Sequence, residues 1–280
     1  VRCQILMKPE INFDEASRTI RWHEIRSTID STLLPQDRYM RYLHARHNRV
    51  EYNRAERTLL KLNDGSSINI SGAGTGNLIR YNYLYDCRGG IRMDDWQSGT
   101  TIRCNIIHES GGITHKGVNS VENNMLINCS RAFHFRAYPQ QTFIPESDIR
   151  RNIVYSTLED FVPNSVFKWG KMNVNKTGFK PIPYEYNMDY NVYWFPGAEK
   201  DLEIKRSNGI EAHGVVMDPR FADVDGKDFR VMNRKMIGAV GFEEFDVSIE
   251  NFGVTPGYPS QYSRQDEVFV AAIPWLANGL

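Results

Sequence analysis

The sequence predicts an all-β chain, a parallel β-helix (a solenoid) with long loop insertions. Three observations predict it: a degenerate repeat centred on asparagine, a second short strand after each copy, and charges recurring at one repeat position. The repeat reads apolar–polar–x–Asn–x–apolar at 45–50, 79–84, 102–107, 121–126, 149–154 and 188–193. Its asparagines are Asn48, Asn82, Asn105, Asn124, Asn152 and Asn191, spaced 34, 23, 19, 28 and 39 residues apart. A core period of about 20 residues interrupted by insertions is how stacked solenoid units read in sequence. The segments are short and rich in Ile, Val, Tyr and Arg, with an apolar period of two, which argues strand. Asparagines stacked at one turn can pass hydrogen bonds between their amides and satisfy backbone groups the bend exposes.

The second strand of each unit is expected at 67–71, 90–94, 112–116, 132–136 and 165–169, giving two strands per unit. Apolar residues such as Ile91, Met93, Phe133 and Phe135 alternate with polar ones, so they point inward and the polar residues outward. One outward column is Asn69, Arg92, Thr114, His134 and Phe167; the other is Ser71, Asp94, Lys116, Arg136 and Trp169. Members of a column sit about 4.8 Å apart, the spacing between strands. A β-sandwich or propeller fits less well: the unit lengths are too irregular for blades, and no hairpin dipeptides join the strands.

At 280 residues the chain is long enough for one sizeable domain. Residues 1–40 read as an N-terminal segment or incomplete first unit. Residues 41–216 carry the repeat, with insertions at 138–147 and 170–186, and 217–280 read as closing strands and a tail. Insertions in a solenoid often gather on one face and build a groove. Basic and acidic residues balance at 34 each, so no global field draws nucleic acid or an acidic membrane. No apolar run is long enough to span a bilayer. The chain shows no signal peptide and starts at Val1, so a processed or truncated chain is expected. An open first unit would need a cap, from another chain or a missing N-terminal portion. Cys87 and Cys129 each follow a repeat Asn by five residues, which puts them two rungs and about 9–10 Å apart, too far for a disulfide. Free, buried thiols are expected, and no CxxC pair supports zinc.

Asp94, Lys116 and Arg136 occupy the same position in three consecutive units. The plain reading is a surface ion-pair ladder worth less than about 1 kcal/mol. Against it stand the adjacent carboxylates Asp94 and Asp95, the convergence of Arg92 and His134, and the nearby aromatics Trp96, Tyr138 and Trp169. Aromatic rings of this kind suit the apolar faces of sugars. Two chemistries fit. Glycoside hydrolysis needs two carboxyl groups, about 5–5.5 Å apart for retention or about 6.5–9.5 Å for inversion. Asp94 and Asp95 are candidates; Asp64 is another, placed up to roughly 20 Å away by strand rise. β-Elimination needs a base and cations that neutralise a uronate carboxylate, for which Lys116 among Arg92, His134 and Arg136 is suited. His115 takes an inward position and reads as a core histidine with a backbone partner.

The runs at 63–72, 76–83, 94–101 and 116–124, with the closing Asp218-Pro219 and Phe221, Ile237-Gly238 and Gly241-Phe242, resemble bacterial right-handed parallel β-helix proteins of carbohydrate metabolism. The likeness covers roughly 40–245. The group includes glycoside hydrolases of the α-L-fucosidase and xylanase types, which use aspartates on the helix face. More distantly it includes alginate- and chondroitin-type lyases, in which Lys and Arg act as base and acid, often beside Ca²⁺. Carried over, the hydrolase likeness points to Asp94 and Asp95, and the lyase likeness to Lys116 and Arg136. Where a hydrolase-like pattern has His–x–Asp–x–Arg, this chain has His134-Phe135-Arg136-Ala137-Tyr138, and it lacks the acidic cluster of a Ca²⁺ site.

The expectation is therefore an enzyme that cleaves glycosidic bonds in a complex polysaccharide, most simply a glycoside hydrolase. Its catalytic candidates are Asp94, Asp95, Lys116 and Arg136, and its substrate-binding candidates are Arg92, Trp96, His134, Tyr138 and Trp169. No resident cofactor is expected, with Ca²⁺ the one metal the lyase likeness leaves open; the partner is a poly- or oligosaccharide, and the resemblance implies an extracellular or periplasmic setting. A uronate lyase with Lys116 as base and a non-catalytic, tailspike-like glycan binder are the alternatives.

Overall fold

Short β-strands dominate, and they come in threes. The structure, a computed structural model, describes residues 45–61, 64–94, 97–137, 147–168, 171–173 and 187–253. Successive strands feed three sheets in turn. The first sheet takes Arg49–Glu51, Asn77–Arg80, Thr100–Arg103, Ser120–Glu122, Asp148–Arg150 and Asn187–Asp189, all parallel. The second runs from Arg54–Glu56 through Tyr83–Tyr85, Ile106–His108, Met125–Ile127, Ile153–Tyr155 and Val192–Trp194 to Val215–Val216. The third joins Ile68–Ile70, Ile91–Met93, Gly111–His115, Arg131–Ala137 and Val162–Lys168, with Lys171–Asn173 antiparallel at its edge.

The register explains the core. Ile79, Ile102, Val121, Ile149 and Met188 line up in the first sheet, and Leu84, Ile107, Leu126, Val154 and Tyr193 in the second. With Ile91, Ile113, Phe133 and Phe135 from the third sheet they form one buried cluster. Each such side chain, fully buried, contributes about 1.5–3 kcal/mol. The outward residues of the second sheet, among them Tyr83, Ile106, Met125, Ile153 and Val192, are buried too. Residues of the C-terminal segment, including Phe229, Val231, Met236, Phe242 and Phe252, cover them. A parallel sheet covered on both faces reads as an unbroken apolar run, as Met125-Leu126-Ile127 does.

Two expectations need correction. Each unit holds three strands, because the asparagine segment is broken into two by a corner. The corner is a left-handed residue just before each asparagine: Tyr52, Tyr81, Cys104, Asn123, Arg151 and Tyr190, with φ between 53° and 60°. Apart from Asn123, side chains of these types carry no left-handed signal in sequence, and the conformation costs them about 1–2 kcal/mol apiece. The asparagine ladder offsets that cost. The second correction concerns its first rung, which is Asn53. Val50 pairs with Ile79, which places Asn53 opposite Asn82. The stretch 50–55 fits the repeat pattern as well as 45–50 does, so pattern alone could not choose between them. Asn48 instead bonds Asn77 at a separate corner.

The ladder then runs without interruption. The Nδ2 of Asn53, Asn82, Asn105, Asn124 and Asn152 each donates to the Oδ1 of the next asparagine at 2.8–2.9 Å. Asn191 ends it by donating to Glu211 Oε1 at 2.6 Å, and Tyr193 donates its hydroxyl to the same oxygen at 2.6 Å. Burial pushes the Glu211 carboxyl above its ordinary value, against the pull of Tyr193, Lys205 and Asn191. Lys205, on helix α1 (Ala198–Ser207), is fully buried, pairs with Asp201 and lies 4.0 Å from the Tyr193 ring centre. Ala198 and Leu202 of α1 join the central core.

The described cysteines Cys87, Cys104 and Cys129 are free and buried. Among the described residues no helix is long and apolar enough to cross a membrane.

Candidate functional site

The outward face of the third sheet gathers the charged residues. Arg92 lies mid-strand in Ile91–Met93 and pairs with Asn69 on one side and Thr114 on the other. Asp94 follows that strand, with its N–H held by Ile70 O at 2.7 Å. Lys116 follows Gly111–His115, where Gly117 turns the chain with φ 71°. A Cβ at Gly117 would meet Gln97 O at 2.1 Å, so the turns after Asp94 and Lys116 pack backbone to backbone.

Asp94 is the hub. One carboxylate oxygen takes the Lys116 ammonium and the other takes Arg92 Nη2 at 2.8 Å. Arg92 reaches Asp64 through its other terminal nitrogen. The result is a chain of alternating charge, Asp64–Arg92–Asp94–Lys116. Arg92 and Lys116, expected outward, retain only 9% and 8% of their exposure. Asp94 is 15% exposed at its side chain and Asp64 85%. Burial works to lower the Arg92 guanidinium; the bonds and charges of Asp64 and Asp94 outweigh it and hold it above its ordinary value.

Asp64 is the largest departure from expectation. Strand rise allowed it to lie roughly 20 Å from Asp94. A single guanidinium holds both carboxylates, so their separation is no more than its width plus two hydrogen bonds. Arg92 reaches across to Asp64, which precedes the first strand of the third sheet, a side-chain contact that strand arithmetic does not register. Arg131 adds another cation beside the cluster: its Nη1 contacts His134 Nδ1. A guanidinium only donates, so that ring nitrogen is the acceptor.

Other predicted residues fall in different places. Asp95, Trp96, Tyr138 and Trp169 lie outside the described residues, as do the aromatics of both insertions. Arg136 pairs through its backbone with Phe167, and His134 with Ser165, so the last copy of the column is offset by two residues from the sequence reading. A two-residue slip keeps the same side chains inward, which is why alternation did not reveal it. His115 is a core histidine, 1% exposed, with Nε2 against Ser147 Oγ at 2.6 Å. Among the described residues no three His, Cys, Asp or Glu converge as a metal site.

No family model, curated protein or solved structure matches the chain.

Proposed function

We propose that the chain is a carbohydrate-active enzyme that cleaves glycosidic bonds in a complex polysaccharide, built on a right-handed parallel β-helix. The solenoid reading rests on the three-sheet strand order, the shared core and the continuous asparagine ladder. The right hand follows from the strong preference of parallel crossovers for that hand. The resemblance to β-helix glycoside hydrolases and lyases supplies the substrate class.

The observation that favours hydrolysis is the joining of Asp64 and Asp94 by Arg92. Hydrolysis requires one carboxyl group to deliver a proton while a second stays ionised. Two cations hold Asp94 in the ionised role of base or nucleophile. The proton donor is Asp95, the second carboxyl group the hydrolase resemblance points to, or Asp64, which takes up a proton from solvent when it leaves Arg92. Lys116 and Arg92 then position Asp94 and meet substrate hydroxyls, as does His134. Elimination would instead need Lys116 free of its proton, and here it donates to Asp94. Incubation with a panel of neutral and uronate polysaccharides tests the reading. New reducing ends without ultraviolet absorbance from unsaturated uronyl products support hydrolysis. Unsaturated products support the lyase, and binding without turnover supports a structural glycan binder.

A further inference from the structure

Away from the third sheet, a cleft of about 240 Å³ opens where the corners of the first two units meet the C-terminal segment. Its walls are Tyr52, Tyr81, Phe245 and Phe252, and its rim carries Glu244, Asp246 and Asn251. Tyr52 and Tyr81 are both left-handed corner residues, so the same backbone device that turns the chain projects their rings outward. They stack with centroids 5.1 Å apart, and Phe245 tilts against Tyr81 at 6.2 Å. Tyr81 already carries the Arg80 guanidinium 5.2 Å from its ring centre. That leaves Tyr52, which is 49% exposed, and the half-buried Phe245 as the aromatic surface a ligand meets.

The polar lining is one-signed. Two carboxylates face the cleft, and among the described residues no Lys, Arg or His lines it. Glu244 is bridged by Arg234 at the surface. Asp246 has no cationic partner in the described ion pairs; it accepts from Ser248 N at 2.9 Å and Asn251 Nδ2 at 2.7 Å. Those bonds hold its carboxyl below the ordinary range, so the charge persists at neutral pH. Aromatic faces beside a fixed carboxylate attract an organic cation through the ring quadrupole and through charge.

We infer that the cleft between Tyr52, Phe245 and Asp246 binds a small organic cation, an alkylammonium or guanidinium group, either as a free amine or on a basic side chain. The cleft is smaller than the ~300–1,000 Å³ typical of drug-sized ligands, which fits one such group. It is independent of the Asp94 cluster, so it stands or falls apart from the proposed activity.

Ligand-observed NMR titrations of the full chain test it, with tetramethylammonium, N-acetylarginine amide and the neutral tert-butanol as probes. Saturable binding of at least one cation near or below ~1 mM is expected, with tert-butanol at least tenfold weaker. Binding of tetramethylammonium alone marks an alkylammonium as the ligand class, and of the arginine amide alone a guanidinium. Asp246→Asn and Tyr52→Ala should each weaken cation binding about tenfold, whereas Glu250→Gln, outside the lining, should not. Circular dichroism checks that each variant folds, and Tyr52→Ala serves if Asp246→Asn does not. Absence of saturable cation binding, equal binding of tert-butanol, or indifference to the folded variants would overturn the inference.

Discussion

Lys116 and Asp94, 22 residues apart in sequence, form an ion pair between the ends of neighbouring strands in the third sheet. The pair is nearly out of water, which separates it from surface ladders that contribute almost nothing. It also divides the two chemistries. In a hydrolase Lys116 positions Asp94; in a lyase it removes the substrate proton. Lys116→Met should therefore lower turnover about tenfold, not by the ~10²–10⁴ lost with a general base. Steady-state rates on any polysaccharide the wild type turns over decide it.

The asparagine ladder sets the stability of the stack. Asn124→Ala removes the acceptor used by Asn105 and leaves the Ile102 and Glu122 carbonyls short of a donor. It should cost more than ~3 kcal/mol, as several buried polar groups lose partners together. Asn53→Ala, at the exposed first rung, should cost less than ~1.5 kcal/mol. Urea unfolding of the two variants gives the comparison.

Much of this fold was legible because parallel sheets leave periodic marks. The spacing of Asn82, Asn105, Asn124, Asn152 and Asn191 places five rungs in register, as the amide ladder bears out. The corners were not legible, since Tyr81 and Cys104 adopt a left-handed backbone that neither side chain prefers. The Asp94–Lys116 contact followed from column arithmetic. The Asp64 contact did not, because it depends on the reach of the Arg92 side chain to a residue outside the strands. Glu211 as the ladder's last rung was invisible for a different reason: a carboxylate replaces the amide, so the motif does not recur there.

Acid should loosen the core at His115. Burial lowers its imidazole to about 4, below the ordinary value of 6.5. The unfolded chain then binds more protons than the folded one between those values. Stability from this site is fully present above pH ~6.5 and falls by about 3 kcal/mol as pH drops to ~4. Glu211 acts oppositely: its raised carboxyl makes the folded chain the better proton binder, so stability from that site is gained as pH falls through its folded value. His115→Gln should flatten the loss between pH ~6.5 and ~4, and Glu211→Gln should steepen the net acid loss. Melting temperatures across that range measure both.

The thiols should be silent while the chain is folded. Cys129 is fully buried, its thiol pushed up to about 12 by burial, and Cys87 retains 3% exposure. Neither should react with a thiol-specific reagent on the folded chain, and both should do so in denaturant. Peptide mapping after labelling separates them from Cys3 and Cys104.

The most direct test of the proposed chemistry is the turnover of Asp94→Asn and Asp64→Asn on whichever polysaccharide of the panel the wild type turns over. Both variants keep a side-chain oxygen for Arg92, so both should fold. Asp94→Asn should lose ~10²–10⁴ in rate and Asp64→Asn a measurable share, with products that stay saturated. Full activity in a folded Asp94→Asn variant, or unsaturated products from the wild type, would contradict a hydrolase centred on Asp94.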